Sequence, residues 1–380
     1  MKKRLALLGA TGSIGRSTLD VLRRGPDDFE VVLLSCHRNA AALAALSREF
    51  PAARLALSGE GPGEAPGIAY YGRQGLLRAV AEAGADLTVN GIAGAAGLAP
   101  SLAALEAGSD LALANKETIV MAAPLVFALA ERKRRRIIPV DSEHAAIFSL
   151  LEAHGRESLD RVFLTASGGP FRTYAAERFA GITVEDALAH PTWNMGPKIT
   201  VDSATLANKG LEVIEAAALF GLEPERIQVV IHPQSVVHSM IRLRDGAVYA
   251  QLSKPDMRLP IHNALYWPEI RRASWGALEF GGLTLEFDNP DVEKFPLLPL
   301  AYEAVRRGGV YPAVYNAANE AAVQAFLSKD AEFLDIPRIV GYVFKRDWTM
   351  APGAPPDLEA ILEADLRARE AAREYMTEKR

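Results

Sequence analysis

The sequence predicts an α/β protein: an N-terminal Rossmann-type doubly wound sheet, an α+β catalytic domain, and a C-terminal helix bundle. Three observations carry that prediction. The first third alternates short apolar runs with amphipathic stretches of helical length, the pattern of βαβ units. After Asp141 strands follow one another with fewer helices between them, and Ser-Gly-Gly, Asp-Gly and His-Pro turns lie at their ends. From Leu300 onward apolar positions recur at helical spacing.

Taken in order, residues 5–8, 31–34, 87–89, 111–114 and 137–140 read as buried parallel strands, with helices at 15–24, 40–50, 75–83 and 98–107. The basic run Arg132-Lys133-Arg134-Arg135-Arg136 reads as the solvated end of a helix, where cations complement the carbonyl end of the macrodipole. Strands are expected at 161–165, 227–232, 236–243 and 247–252, and helices at 143–153 and 204–220. Prolines at 268, 290, 296 and 299 mark 267–299 as a linker. Helices at 300–307, 312–327, 337–346 and 357–376 complete a small bundle. The expected division is 1–141 for a dinucleotide, 142–266 for catalysis and connection, 267–299 as linker and 300–380 as bundle.

A chain of 380 residues exceeds what one core usually serves, and 49% hydrophobic with 23% charged residues is an ordinary globular composition. A net charge of −5 gives no reason to expect nucleic acid or an anionic membrane as partner. The lone Cys36 cannot form an internal disulfide, and it lies in the dinucleotide region, away from where a cysteine nucleophile would work. No stretch approaches the roughly 20 apolar residues of a membrane span. The basic start followed by Leu5-Ala6-Leu7-Leu8 runs straight into a glycine turn, unlike a secretion signal, so a soluble cytoplasmic protein is expected.

Gly9-Ala10-Thr11-Gly12-Ser13-Ile14-Gly15 follows the first strand and opens the first helix, which sets glycines and helix N–H groups against a pyrophosphate. The end of the second strand reads Ser35-Cys36-His37-Arg38-Asn39, without the acid that would hold a ribose 2′-hydroxyl. Arg38 offers a guanidinium fork instead, which favours a 2′-phosphate and hence NADP.

Four further segments carry candidate chemistry. Asp141 and Glu143 stand two apart after a strand, so extended geometry would turn both carboxylates to one side, where they could hold a hard cation. A helix N-cap explains the same residues. Asn208 and Glu212, and Thr205 and Lys209, stand four apart and would share helix faces, with Ser203 near the helix start. A capped helix with a solvated face is the plainer reading of that cluster. Thr165-Ala166-Ser167-Gly168-Gly169 could present consecutive N–H groups to an anion, or be a simple turn. His190-Pro191-Thr192-Trp193-Asn194-Met195-Gly196-Pro197 suits neither helix nor strand and reads as a loop with an apolar flap.

These segments, with Leu113-Ala114-Asn115-Lys116-Glu117, Ile231-His232-Pro233-Gln234-Ser235 and Asn316-Ala317-Ala318-Asn319-Glu320, closely resemble the 1-deoxy-D-xylulose-5-phosphate reductoisomerase family, in family order along the chain. The resemblance implies that Asp141, Glu143 and Glu212 bind a divalent metal, Mg²⁺ or Mn²⁺. It implies substrate contacts from Ser142, Glu143, Ser167, His190, Trp193, Ser203, Asn208, Lys209 and Glu212, with Lys116 also reaching the sugar phosphate. NADPH contacts are implied for Thr11, Gly12, Ser13, Ile14, His37, Arg38, Asn39, Asn115, Glu117 and Gly196. Members of the family often carry Gly-Lys-Asn where this chain has His37-Arg38-Asn39, and arginine for lysine keeps a partner for the 2′-phosphate. The implied reaction breaks and re-forms C3–C4 of a small sugar phosphate and reduces the product, with Glu143, Lys116 and His190 as candidate catalytic residues. A homodimer is implied as well. A plain NADP-dependent polyol or hydroxy-acid dehydrogenase is the alternative, and a non-catalytic NADP-binding regulator a third reading.

Overall fold

The computed structural model describes residues 2–59, 67–349 and 355–378, which form two compact units. The first comprises Met1–Thr118, Pro124–Ala145 and Asp256–Gly276. Its strands are β1 (Lys3–Leu8), β2 (Phe29–Cys36), β3 (Arg54–Leu57), β4 (Ile68–Tyr71), β5 (Leu87–Asn90), β6 (Asp110–Leu113) and β7 (Ile137–Pro139). All pair in parallel, in the order β4-β3-β2-β1-β5-β6-β7, so the fold is the expected doubly wound sheet. Helices cover both faces, which is why β1 can be a continuous apolar run with Leu5 through Leu8 wholly buried. The strands β3 and β4 go beyond the sequence reading.

The first glycine turn follows β1 and opens the helix Ser13–Arg24. Gly9 has φ +81°, a conformation that disfavours a side chain, and the carbonyls of Gly9 and Ala10 leave no room for a Cβ on Gly15. The helix Lys116–Lys133 follows β6 and bends at Ala122, two residues before Pro124. It ends in the basic run, with Arg134 in the left-handed conformation and exposed. The chain returns to this unit with the helix Arg258–Tyr266, which packs on Ser13–Arg24, and Tyr266 donates to Asp28 at 2.7 Å.

The second unit comprises Ile119–Ala123, Ala146–Pro255 and Ala277–Arg380. Its sheet holds β8 (Leu159–Ala166), β9 (Ile227–Ile231), β10 (Val237–Leu243) and β11 (Val248–Leu252) in the order β11-β10-β8-β9. Pairing is parallel between β8 and β9 and antiparallel elsewhere. Four helices, Leu297–Arg307, Tyr311–Leu327, Asp335–Phe344 and Leu358–Glu378, form the bundle. Phe171, just after β8, meets Phe333 of the bundle edge to face, with centroids 5.2 Å apart. No helix among the described residues is long and apolar enough to cross a membrane.

Where one helix was expected over 204–220, there are two. Pro197–Ala204 and Ala207–Phe220 are divided at Leu206, whose φ of +56° breaks the helical path. Thr205 and Lys209 therefore do not share a helical face, and Ser203 lies in the last turn of the first helix rather than near a helix start.

Candidate active site

In the first unit the strand order reverses between β1 and β5, and the crevice outside their carboxyl ends is where dinucleotides lie in such sheets. Thr11, Gly12, Ser13 and Ile14 sit at that end, at the mouth of the helix Ser13–Arg24. After β2, His37, Arg38 and Asn39 are exposed. Asn39 caps the next helix, accepting the Ala42 N–H at 3.0 Å, and the His37 ring lies 3.2 Å from the Ser58 hydroxyl. Arg38 has no carboxylate partner among the described residues, so its fork is available for an anion.

Asn115, Lys116 and Glu117 head the next helix and are buried. Lys116 reaches Asp141 at 2.7 Å, and His144 lies 3.4 Å from the other oxygen of the same carboxylate. Burial would push the Asp141 carboxyl up, but the Lys116 ammonium and His144 outweigh it and hold the group well below the usual carboxylate range. Asp141 is thus a deprotonated oxygen donor. Glu143 does not continue an extended strand, because β7 ends at Pro139 and the helix Ser142–His154 has already begun. Glu143 stands in that helix's first turn, with one oxygen accepting from the Ser142 hydroxyl at 2.5 Å. A helix turn rather than strand alternation therefore brings them to one side, where one oxygen of Asp141 and one of Glu143 lie within 4.8 Å of each other.

In the second unit β8 ends in the Ser167-Gly168-Gly169 turn, both glycines having positive φ. The Gly169 N–H donates to the Ser167 hydroxyl at 3.2 Å and so is not left for an outside anion. A Cβ on Gly169 would lie 2.6 Å from the Ser203 carbonyl oxygen, so the turn and the helix carrying Ser203 meet backbone to backbone. His190 ties the loop to the turn. Its Nδ1 accepts the N–H groups of Thr192 and Trp193 at 3.1 and 2.9 Å, which places the ring proton on Nε2. Nε2 lies 3.1 Å from the Ser167 hydroxyl and donates to it. Burial lowers the His190 pKa, which keeps the ring neutral.

The loop ends one residue sooner than expected. Pro197 starts a helix rather than ending a loop, since a proline at the first helical position sacrifices no hydrogen bond, and Gly196 precedes it. Trp193 is half-buried and rests against His238 with centroids 6.2 Å apart. On Ala207–Phe220, Asn208 donates to one oxygen of Glu212 at 2.5 Å and Lys209 pairs with the other. Lys209 and Glu212 are both nearly inaccessible. This confirms the four-residue spacing of Asn208 and Glu212.

Sequence reasoning passed over three features. His238, a lone histidine in an apolar run, reads as core, and His144 beside Asp141 and Glu143 carries no spacing that marks it as their partner. The turn Asn90-Gly91-Ile92-Ala93-Gly94 repeats the strand-to-glycine pattern of the first turn and could have been found by it.

A family model described as 1-deoxy-D-xylulose 5-phosphate reductoisomerase matches residues 5–123. Its C-terminal domain matches 137–220, and a DXP reductoisomerase C-terminal domain matches 252–371. The 1-deoxy-D-xylulose 5-phosphate reductoisomerase of Chlorobium chlorochromatii is 48% identical over 381 residues, covering 98% of this chain and 99% of the relative. That of Treponema pallidum is 47% identical over 372 residues, covering 98% and 96%. Among solved structures, the enzyme from Zymomonas mobilis in complex with NADPH is 41% identical, with 99% of each chain covered and a TM-score of 0.88. A DOX-P reductoisomerase in complex with NADPH, fosmidomycin and magnesium is 37% identical, covering 99% of this chain and 98% of that one, with a TM-score of 0.90. By sequence and by fold, this chain belongs to the 1-deoxy-D-xylulose 5-phosphate reductoisomerase family.

Proposed function

We propose that the chain rearranges and reduces 1-deoxy-D-xylulose 5-phosphate to 2-C-methyl-D-erythritol 4-phosphate, using NADPH and a divalent ion, Mg²⁺ or Mn²⁺. The carrying observation is a glycine-turn dinucleotide crevice and a buried Lys116–Asp141 pair on one sheet, in a chain matched end to end by reductoisomerases. A plain polyol or hydroxy-acid dehydrogenase is not favoured, since full-length relatives carry the reductoisomerase name.

The donor chemistry suits a hard cation. Asp141 is held ionised, and Glu143 and Glu212 add carboxylate oxygens whose neighbours are donors: Ser142 for the first, Asn208 and Lys209 for the second. These three would hold the ion, which when bound supplies Lewis-acid stabilisation of developing negative charge on oxygen. Ser167, Ser203, Asn208 and Lys209 would hold the phosphate end of the substrate and keep its pieces positioned during the rearrangement. His190, neutral with its proton on Nε2, serves as a hydrogen-bond donor there rather than as a base. Lys116, an ammonium beside Asp141, and Glu143 would be the groups that move protons, while the Ser142 hydroxyl, which donates to Glu143, would contact the substrate. Trp193 would cover the carbon chain and exclude water.

For the cofactor, which supplies the hydride, Thr11, Gly12, Ser13 and Ile14 would face the pyrophosphate. Arg38 would take the 2′-phosphate, with His37 and Asn39 beside it. Asn115, Glu117 and Gly196 would serve the nicotinamide half. The proposed division of labour is residues 1–141 for NADPH, 142–266 for catalysis and connection, 267–299 as linker and 300–380 as bundle. The working form is a cytoplasmic homodimer. The decisive assay follows NADPH absorbance with 1-deoxy-D-xylulose 5-phosphate, with and without Mg²⁺. Oxidation that needs both substrate and metal supports the proposal. Metal-independent oxidation of NADPH with a simple ketose would restore the dehydrogenase reading, and binding without any oxidation would restore the regulator.

A further inference from the structure

Directly after β5 the chain runs Asn90-Gly91-Ile92-Ala93-Gly94-Ala95-Ala96-Gly97 before the helix Leu98–Glu106, a second glycine-rich passage from strand to helix. It packs against the first. A Cβ on Gly9 would lie 2.9 Å from the Gly91 carbonyl oxygen, and one on Gly91 would lie 3.1 Å from the Ile14 side chain. Since β1 and β5 are neighbours at the reversal of strand order, both turns border the same dinucleotide crevice.

Two buried asparagines hold this second turn. Asn90 accepts the Ile92 N–H at 3.0 Å and donates to the Gly97 carbonyl at 2.9 Å and to the Ser101 hydroxyl at 2.7 Å. From the other side Asn115 donates to the carbonyls of Ile92 at 2.8 Å and Gly94 at 2.9 Å, and its oxygen accepts the Thr118 N–H at 3.0 Å. Ile92 is therefore held at both its N–H and its carbonyl. The hydroxyls of Ser101 and Thr118, 3.1 Å apart, join the two asparagines into one network. Asn90 is 0% exposed and Asn115 2%. Taking two amides out of water is costly unless they are bonded, and here both are spent largely on the backbone of the turn, with Asn115 also capping the helix Lys116–Lys133. What it achieves is orientation. The carbonyls of Ile92, Gly94 and Gly97 are all turned to amide donors, while the N–H groups of Ala93 and Gly94 meet no acceptor among the described residues.

We propose that Asn90 is a positioning residue for the NADPH reaction, fixing the 91–97 turn so that its free N–H groups receive the bound dinucleotide. The inference rests on the NADPH reading above.

The test is Asn90→Asp, which keeps the shape and the acceptor for Ile92 but sets a carboxylate oxygen against the Gly97 carbonyl. Losing these donor bonds should raise the KM for NADPH about tenfold, with kcat at saturating NADPH and the KM for the sugar phosphate within about twofold of the parent. Ser101→Ala removes only one outer partner and should raise the NADPH KM about threefold, which keeps the test open if the aspartate variant does not fold. A fall in thermal midpoint with an unchanged NADPH KM in Ser101→Ala, or a tenfold loss shared equally by both substrates in Asn90→Asp, overturns the positioning role. A parent that shows no fluorescence change on titration with NADPH overturns this inference and the functional reading together. A parent that binds while both variants match it overturns only the inference.

Discussion

Arg38 follows β2 with an exposed guanidinium and no carboxylate partner among the described residues, while Arg23, at the far end of the helix Ser13–Arg24, is held by Glu49 at 2.7 Å. A fork left uncommitted beside a dinucleotide crevice is what a 2′-phosphate needs. Arg38→Ala should raise the NADPH KM by about tenfold or more while leaving NADH kinetics nearly unchanged. Equal losses with both cofactors would remove Arg38 from the assignment. Glu212 is a second residue whose surroundings make a definite forecast, since Asn208 and Lys209 donate to its two oxygens. Glu212→Gln should lower kcat at least about a hundredfold and raise the Mn²⁺ concentration needed for half activity, with NADPH binding intact. A parent-like Mn²⁺ titration would show that Glu212 is no ligand. Residue types and short spacings such as Asn208 to Glu212 were readable in the sequence, because a helix turns a four-residue interval into a contact. The pairing of Lys116 with Asp141 was not, because the two lie on different elements and only the parallel order β6-β7 brings their ends together.

Between Leu188 and Pro197 the chain has no regular structure, and one imidazole organises it: His190 accepts from Thr192 and Trp193 while donating to Ser167. Few backbone hydrogen bonds hold the segment otherwise, which marks it as an element that opens at low free energy. We expect residues 187–197 to be cut by a protease in the free protein and protected when NADPH and a substrate-like phosphonate are both bound. Equal cleavage in both states would return Trp193 to ordinary packing. Trp193→Ala should weaken substrate binding by about tenfold or more, since burying an indole is worth roughly 1.5–3 kcal/mol, part of it offset by loop ordering. The loop was legible because proline, glycine, tryptophan and methionine suit no regular element. Its boundary was not, since Pro197 signals a helix start as readily as a helix stop. The break at Leu206 is harder still, because a leucine at positive φ has no signature in composition or period, and tertiary packing of a 3% exposed side chain sets it.

Across the whole molecule, the sequence announced the parallel sheet, the second sheet and the bundle, since each rests on period and length. It could not announce that Asp256–Gly276 rejoins the first unit, a matter of long-range contacts such as Tyr266 with Asp28 and Arg271 with Asp28. Buried histidines are a further property of the folded state alone, and they make a forecast for the whole chain. Burial pushes His238 down to about 4, with His232 and Lys209 nearby adding to the effect and the acceptors around Ser253 and Lys254 opposing it. The Ser253 hydroxyl, 2.8 Å from Nε2, donates onward to the Lys254 carbonyl and so accepts from a neutral ring. Burial lowers His190 and His262 in the same direction. An unfolded histidine takes up its proton near pH 6.5, whereas folded His238 refuses it until about pH 4. Between those values the unfolded chain binds more protons, so stability is fully present above pH 6.5 and falls as the pH drops towards 4. The ceiling for His238 alone is about 3 kcal/mol. Carboxylates such as Asp141, held below their usual range, extend the loss only at still lower pH. Denaturant unfolding of the metal-free protein from pH 7.5 to 4 should therefore show a falling midpoint, and His238→Gln should flatten that slope even where it lowers stability at neutral pH. A His238→Gln curve parallel to the parent's across this window would mean that His238 takes up its proton in the folded state as readily as in the unfolded one.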